Sequence, residues 1–257
     1  MKVQIQLPYH EDRYIIDTQC EEVIGSLKNL FGCYCSCSEK DDGHLISITS
    51  NGHTYAFSSD GYSILTDDPI GSIHNFMFLN KKISPGIFAL HASAVCRDGK
   101  AYIFCAPTST GKTTLTAFLS KCGFEYVSDD CVFIDMNDLT VYPCYNPIHL
   151  REGGYDFLKE QGFTLLNVKK VEERYVYTPS NLSPQSMSLK RIFFIDRTDA
   201  INEVQLIGGA FLLQKLMLSP ITTYKIDSSY ISFLKRLSEY CSSIRYSDLN
   251  FILKLIQ

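Results

Sequence analysis

Residues 106–113 have the types and the spacing of a phosphate-binding loop. They read Ala-Pro-Thr-Ser-Thr-Gly-Lys-Thr, which matches the pattern Gly-x-x-x-x-Gly-Lys-Thr with alanine in place of the first glycine. Successive backbone N–H groups of such a loop converge on phosphate oxygens, and the following helix adds free donors and a positive dipole end. Lys112 would bring a mobile positive charge to the terminal phosphates, and the Thr113 hydroxyl would ligate Mg²⁺. Gly111 would let the backbone approach the phosphates closely.

The pattern predicts a set of nucleotide-binding residues: Pro107, Thr108, Ser109, Thr110, Gly111, Lys112, Thr113 and Thr114. Alanine at position 106 fits such a loop if its φ is negative, whereas a positive φ there costs on the order of 1 kcal/mol. The alternative is a chance strand–turn–helix segment with a surface lysine. The neighbouring sequence favours the loop, because an apolar strand (101–105) precedes it and an amphipathic helix (112–122) follows it.

A second group with chemical potential is the pair Asp129 and Asp130, which follows Ser128 between two strand-like runs. Adjacent carboxylates at the end of a strand suit Mg²⁺ and proton transfer, since one can hold the metal and the other can reach a substrate hydroxyl. Because apolar runs flank the pair, we expect partial burial, so that each carboxylate resists the ionisation of the other. The alternative is an aspartate-rich turn.

Strands and helices must position these residues, and the later part of the chain alternates between the two. Apolar runs predict strands at 88–95, 101–105, 124–127, 131–134 and 192–195. Helices are predicted at 112–122, around Ile231, Leu234, Leu237 and Cys241, and after a cap at Ser247-Asp248. Gly123 would end the helix that follows the loop. The alternation predicts an α/β domain over residues 83–257, with helices near its C-terminal end.

Residues 1–82 have a different, β-rich texture. Short strand-like runs are separated by hairpin-type turns such as Asn51-Gly52 and Asp60-Gly61. A helix is predicted at 71–82, and Pro85-Gly86 then breaks the chain. Exposed edge strands can capture an extended peptide, so this region is a candidate for docking a peptide substrate.

Composition limits the classes of function. The chain has 257 residues, with 24 Lys and Arg against 28 Asp and Glu and a net charge of -4. This mildly acidic balance argues against nucleic acid or an anionic membrane as a partner. No stretch approaches the ~18 apolar residues of a membrane span, and the first residues do not resemble a signal peptide. We therefore expect a cytoplasmic protein.

The ten cysteines fit that expectation as reduced thiols. Cys33, Cys35 and Cys37 alternate, so a strand would place all three on one face. They predict a half-buried strand, and the alternative is a metal or redox site, although no nearby residue supplies an obvious fourth ligand.

The motifs together resemble the kinase core of HPr kinase/phosphorylase. The resemblance is carried by Leu-His-Ala-Ser-Ala-Val at 90–95, Gly99, the loop, Gly123-Phe124 and Ser128-Asp129-Asp130. It looks closest to the HPr-kinase-like proteins encoded beside ribosomally made, modified peptides, such as lasso-peptide precursor kinases. That superfamily shares its nucleotide-binding fold with phosphoenolpyruvate carboxykinase, so the resemblance implies a P-loop kinase core of this type. A weaker match covers residues 141–151.

The resemblance implies roles for individual residues. Lys112 and the loop would hold the β- and γ-phosphates of ATP. Thr113 and Asp129 would hold Mg²⁺, and Asp130 would act as the base toward a seryl hydroxyl, although the sequence does not separate the two aspartates.

Two further residues receive roles from the same resemblance. His91 falls where the family has a histidine near the phosphates, and the alternative is a strand histidine satisfied by backbone. Arg151 would contact the γ-phosphate or the acceptor, and the alternative is a surface salt bridge.

The function implied is transfer of the γ-phosphoryl group from ATP, with Mg²⁺, to a Ser or Thr hydroxyl of a peptide or small protein. Related enzymes assemble, so the resemblance allows a homo-oligomer, but no segment of the sequence defines an interface. The glycine-rich signature stretch of the bifunctional enzymes is not found, which argues against phosphorylase activity and against HPr as the substrate. Two alternatives remain: a nucleotide-dependent switch without an acceptor, and a kinase for a small metabolite such as serine.

Overall fold

The computed structural model of this chain describes residues 1–31, 35–36, 43–52, 54–79, 83–166, 168–171, 173–205 and 208–257. The described chain divides into two compact units, Met1–Pro85 and Gly86–Gln257.

The first unit contains one sheet and two helices within the residues described. Its strands are β1 (Lys2–Gln6), β2 (Arg13–Thr18), β3 (Cys35–Ser36), β4 (His44–Asn51), β5 (Thr54–Ser59) and β6 (Tyr62–Thr66). Its helices are α1 (Glu21–Phe31) and α2 (Pro69–Leu79). The sheet has the order β3-β1-β2-β4-β5-β6. The hairpin turns predicted at Asn51-Gly52 and Asp60-Gly61 are present, with positive φ at Gly52, Asp60 and Gly61, as turns between right-twisted strands require. A third turn predicted at Asp41-Asp42-Gly43 lies largely outside the described residues.

One member of the cysteine triplet, Cys35, lies at the edge of this sheet. Cys35 belongs to β3, whereas Cys33 and Cys37 lie outside the described residues. Within the described part of the chain, no group of three or more His, Cys, Asp or Glu side chains is arranged to hold a metal ion.

The second unit contains the remaining strands and helices. Its strands are β7 (Ile87–Leu90), β8 (Ser93–Arg97), β9 (Lys100–Cys105), β10 (Glu125–Ser128), β11 (Val132–Asp135), β12 (Thr140–Tyr142), β13 (Ile148–Arg151), β14 (Lys169–Val171), β15 (Arg174–Tyr177), β16 (Met187–Arg197), β17 (Glu203–Gln205) and β18 (Cys241–Tyr246). Its helices are α3 (Lys112–Lys121), α4 (Glu152–Glu160), α5 (Gly209–Leu218), α6 (Ser228–Ser238) and α7 (Leu249–Ile256). The predicted α/β class is therefore confirmed.

The main sheet has the order β10-β8-β9-β16-β12-β11-β7, and β18 pairs with both β16 and β17. Strands β9, β16 and β18 run parallel to one another. Their carboxyl ends therefore meet at one edge of the sheet, where ligands bind in α/β proteins. Cys105 pairs with Phe194, and Arg197 pairs with Tyr246, at this edge. Strands β13, β15 and β14 form a separate small sheet.

Two predicted elements differ from the structure. Residues 88–95 belong to two strands, β7 and β8. The strand conformation is interrupted at His91 and Ala92, and the two strands pair in different parts of the sheet. Cys241 begins strand β18, since helix α6 ends at Ser238. Cys241 continues the apolar spacing of helix α6 across the turn that separates the two elements. The spacing alone therefore led to the wrong prediction that Cys241 lies in the helix.

The last helix starts as predicted, with the Asp248 side chain accepting a hydrogen bond from the Asn250 N–H. Within the described residues, no helix combines the length and the apolar character needed to cross a membrane.

Candidate functional site

The loop that follows strand β9 has backbone geometry suited to a tight cradle. Ser109 and Gly111 both have positive φ, 69° and 95°. Gly111 caps helix α3 without a side-chain hydrogen bond, so the N–H groups at the helix start remain available as donors. Ala106 is not among the residues with positive φ. Alanine therefore fits this position without strain.

Hydrogen bonds brace the loop from within and from outside. The Thr110 hydroxyl donates to the Pro107 carbonyl at 2.8 Å. The Tyr246 hydroxyl, at the end of strand β18, donates to the Thr110 carbonyl at 3.2 Å. A Cβ atom at Gly111 would stand 3.3 Å from the same Tyr246 hydroxyl. The parallel strand β18 therefore supports the curvature of the loop.

Lys112 is a buried cation at the first position of helix α3, with a relative exposure of 5%. Its ammonium group donates to the carbonyl oxygens of Ala106 at 2.7 Å and Pro107 at 3.3 Å. Burial lowers the pKa of Lys112, and the carboxylates of Asp130 and Asp129 oppose that shift. The ammonium therefore lies against the loop backbone, with the aspartate pair close enough to influence its charge.

The aspartate pair lies just after strand β10, and its two members have different surroundings. Asp129 is buried, and its Oδ1 atom accepts a hydrogen bond from the Thr113 hydroxyl at 3.3 Å. Burial, and secondarily the neighbouring Asp130 carboxylate, raise the pKa of Asp129 to about 7. Asp130 is exposed and has a φ of 74°. One carboxylate is thus held against helix α3, and the other is open to the cleft.

Asn146 fixes the backbone of Asp129, a role that the sequence analysis missed. Its side-chain Nδ2 donates to the Asp129 carbonyl at 2.7 Å, and its Oδ1 accepts from the Asp129 N–H at 3.2 Å. The buried Tyr126 hydroxyl donates to the Asn146 side-chain and backbone oxygens at 2.9 and 2.8 Å. Asn146 lies 17 positions beyond Asp129, so no local feature of the sequence indicates this contact.

His91 lies beside the aspartate pair, in the break between strands β7 and β8. Its Nδ1 atom is 3.0 Å from the backbone carbonyl of Asp130. A carbonyl oxygen only accepts hydrogen bonds, so this contact assigns the proton of a neutral ring to Nδ1. The Nε2 atom is then left as the acceptor.

Most of the predicted site residues line one cleft of about 460 Å³. They are His91, Thr108, Ser109, Gly111, Lys112, Thr113, Thr114, Asp129, Asp130 and Arg151. Pro107 and Thr110 are not among the residues that line the cleft, and the Thr110 hydroxyl instead bonds to the Pro107 carbonyl. The structure therefore brings together groups that are up to 60 positions apart in the chain, from His91 to Arg151.

Further residues that the sequence did not single out line the same cleft: His149, Gly153, Gly154, Arg174 and Arg197. Arg197 is the last residue of strand β16. It lies two residues beyond the strand predicted at 192–195, and this position at a strand end is its one local signal in the sequence. Arg174 begins strand β15, and nothing near it in the sequence marks it. The arginines reach the cleft only through strand pairing.

Gly154 brings the start of helix α4 close to the start of helix α3. A Cβ atom at this position would lie 2.6 Å from the Thr114 hydroxyl oxygen. Gly153 has no such neighbour within 4 Å. The second glycine is therefore the one that permits the close approach of the two helices beside the loop.

The donor set at the loop fits Mg²⁺. The Thr113 hydroxyl and the Asp129 carboxylate are hard oxygen ligands that already contact each other. Mg²⁺ is commonly held by one or two carboxylate or hydroxyl oxygens together with substrate phosphates, so a larger protein cage is not needed.

No protein-family model matches the chain, and no curated protein matches its sequence. Among solved structures, the chain is similar to the HPr(Ser) kinase/phosphatase from Coxiella burnetii, with 15% sequence identity and a TM-score of 0.34. The match covers 65% of this chain and 90% of that one. A likeness at this TM-score carries no weight, and the function proposed below rests on the geometry of the site.

Proposed function

We propose that this protein is a kinase that uses ATP and Mg²⁺ to phosphorylate a Ser or Thr hydroxyl of a peptide or small protein. One observation carries the proposal: the phosphate-loop lysine, Lys112, and the carboxylates of Asp129 and Asp130 line the same cleft. Phosphoryl transfer depends mainly on positioning and charge neutralisation. A buried cation, a helix start and a carboxylate open to the cleft supply these functions.

On the nucleotide side, the backbone N–H groups of the loop and of the start of helix α3 bind the phosphate oxygens. The Lys112 ammonium leaves the carbonyls of Ala106 and Pro107 for the γ-phosphate. Thr113 and Asp129 hold Mg²⁺, which when bound offsets negative charge on the phosphate oxygens.

On the acceptor side, Asp130 orients the hydroxyl and accepts its proton. The acceptor oxygen forms a bond to the γ-phosphorus atom, the bond from that phosphorus to the β–γ bridging oxygen breaks, and ADP leaves. His91 positions Asp130 through its hydrogen bond to the backbone carbonyl. Because Asp130 is exposed, an acceptor hydroxyl can reach it from the cleft, and the assay below separates transfer to an acceptor from hydrolysis by a switch.

The test uses the purified protein, Mg²⁺ and ATP radiolabelled on the γ-phosphate, with a panel of peptides that contain Ser, Thr or Ala at one position. We expect label on Ser or Thr peptides and none on their Ala counterparts. Lys112→Ala should reduce transfer by about 10²-fold or more, while Lys190→Ala, an exposed lysine outside the cleft, should not. Release of free phosphate with every peptide unlabelled would identify a switch and contradict the proposal.

A further inference from the structure

Two arginines stand directly opposite each other on the wall of the cleft. Arg151 ends strand β13, and Arg174 begins strand β15, to which it is paired in the antiparallel register. Directly opposed residues of an antiparallel pair have neighbouring side chains on the same face of the sheet. Both residues line the cleft that contains Lys112 and the aspartate pair.

The two guanidinium groups bring two positive charges to this wall of the cleft. Within the described part of the chain, neither guanidinium group has a carboxylate within 4.0 Å. Like charges directly opposite each other in a sheet are destabilising. The arrangement becomes favourable when an anion lies between the two guanidinium groups, whose planar forks match the oxygens of a carboxylate or a phosphate.

A stacked pair of aromatic rings fixes the strand that carries Arg174. Tyr175, next to Arg174, stacks on Tyr155 of helix α4 with ring centroids 3.9 Å apart and ring planes 3° from parallel. Helix α4 begins immediately after Arg151. The strand that carries one arginine is thus fixed against the helix that follows the other.

The nucleotide has its own set of positive groups. Lys112 and the start of helix α3 serve the phosphates in this proposal, and Arg197 lines both this cleft and a smaller cavity that shares Gly111 with it. Of these two cavities, Arg151 and Arg174 line only the larger one. The positive charge of Arg151 and Arg174 therefore adds to the positive charge beside the loop. It lies on the wall of the cleft that the small sheet forms.

We propose that the phosphoacceptor carries an anionic group near its hydroxyl, and that Arg151 and Arg174 bind this group. The proposal rests on the kinase function proposed above. A side-chain carboxylate and a phosphate monoester present the same charged oxygens, so either could be the source. Arg174 is then a specificity-determining residue for the acceptor and not for the nucleotide.

The experiment measures peptide binding by calorimetry to the full chain loaded with ADP and Mg²⁺. The probes are serine peptides that carry Glu, Gln or phosphoserine at each position flanking the acceptor serine in turn. At one or more flanking positions, we expect Glu or phosphoserine to improve affinity over Gln by about tenfold or more, as charge-assisted hydrogen bonds do. The relative affinity of the Glu and phosphoserine peptides identifies the source of the anion.

Two arginine variants test whether Arg174 causes the preference for anionic peptides. Arg174→Gln should remove most of the preference for the anionic peptide and leave the affinity for MgADP unchanged. Arg191→Gln removes the same charge from an exposed position outside the cleft, and it should keep the preference.

The inference is overturned if anionic and neutral peptides bind equally, if no peptide binds, or if Arg174→Gln weakens MgADP binding as much as peptide binding. Equal binding accompanied by transfer of label to Ser peptides would leave the kinase proposal standing. A chain that does not bind MgADP or MgATP at all would instead contradict the kinase proposal itself.

Discussion

The side-chain amide of Asn146 brackets the peptide groups on either side of the Asp129 α-carbon, donating to the Asp129 carbonyl at 2.7 Å and accepting from the Asp129 N–H at 3.2 Å. Both residues are buried. An amide that satisfies a donor and an acceptor of one residue fixes the direction in which that residue's side chain leaves the backbone. Asn146 is therefore a positioning residue for the carboxylate that contacts Thr113.

Replacing Asn146 by Ala should lower the free energy of unfolding by about 1–3 kcal/mol, because the buried N–H and carbonyl groups of Asp129 lose their partners. Urea denaturation of the variant and the parent protein measures this change. Asn137→Ala is the matched control, since Asn137 is exposed. Equal effects of the two substitutions would show that the bracket contributes no stability.

Asp130→Asn should reduce kcat for transfer by about 10²- to 10⁴-fold, because the amide cannot accept the proton of the acceptor hydroxyl. The affinity for MgATP should change little, since Asp130 is exposed and lies apart from the Thr113 contact. Asp129→Asn should instead raise the Mg²⁺ concentration needed for half-maximal rate. Steady-state kinetics with varied Mg²⁺ separate these effects, and the reverse pattern would exchange the two roles.

Gly154→Ala should destabilise the protein by about 1–3 kcal/mol and weaken MgATP binding. The added Cβ would stand 2.6 Å from the Thr114 hydroxyl oxygen and push helix α4 away from the loop. Gly153→Ala is the control on the same helix turn; its Cβ meets open space, and alanine favours the helix. Thermal denaturation and a nucleotide titration measure both variants.

Removal of the Thr114 hydroxyl tests whether its clash with the added Cβ atom at position 154 causes the loss of stability. Thr114→Ala combined with Gly154→Ala should recover stability relative to Gly154→Ala alone, since the nearest clashing atom is then absent. A double variant that is no more stable than the single one would contradict the steric explanation.

The raised pKa of Asp129 predicts how stability depends on pH when no Mg²⁺ is present. The folded protein holds the carboxyl proton up to a pH of about 7, whereas the ordinary value is 3.8. Between these values the folded state binds more protons than the unfolded state, so stability should fall as pH rises through this range. Asp129→Asn should flatten this part of the curve. Urea denaturation at several pH values with a chelator provides the measurement, and identical curves for the two proteins would contradict the assignment.

The local structure around the candidate site could be predicted from the sequence because it is encoded in short segments. The loop at 106–113 carries its own turn residues, its lysine and its helix start, and strand β9 and helix α3 lie on either side of it as expected. Asp129 and Asp130 are likewise adjacent in sequence. Each of these features depends on neighbours within a few positions.

The rest of the site depends on pairing between distant segments, which one sequence does not reveal. Arg174 reaches the cleft because it pairs with Arg151, and Asn146 reaches Asp129 through a loop between strands β12 and β13. The break at His91 was missed for a related reason. A continuous apolar run predicts a buried strand, but it does not show where such a strand divides to join two parts of a sheet.

The hydroxyl of Tyr246 contacts the carbonyl of Thr110 across 136 positions of the chain. During synthesis, the complete phosphate motif therefore leaves the ribosome long before the tyrosine that braces it. A fragment ending before strand β18 would contain every residue of the motif and would still lack this brace. The loop can therefore gain this hydrogen bond only after strand β18 has been synthesised.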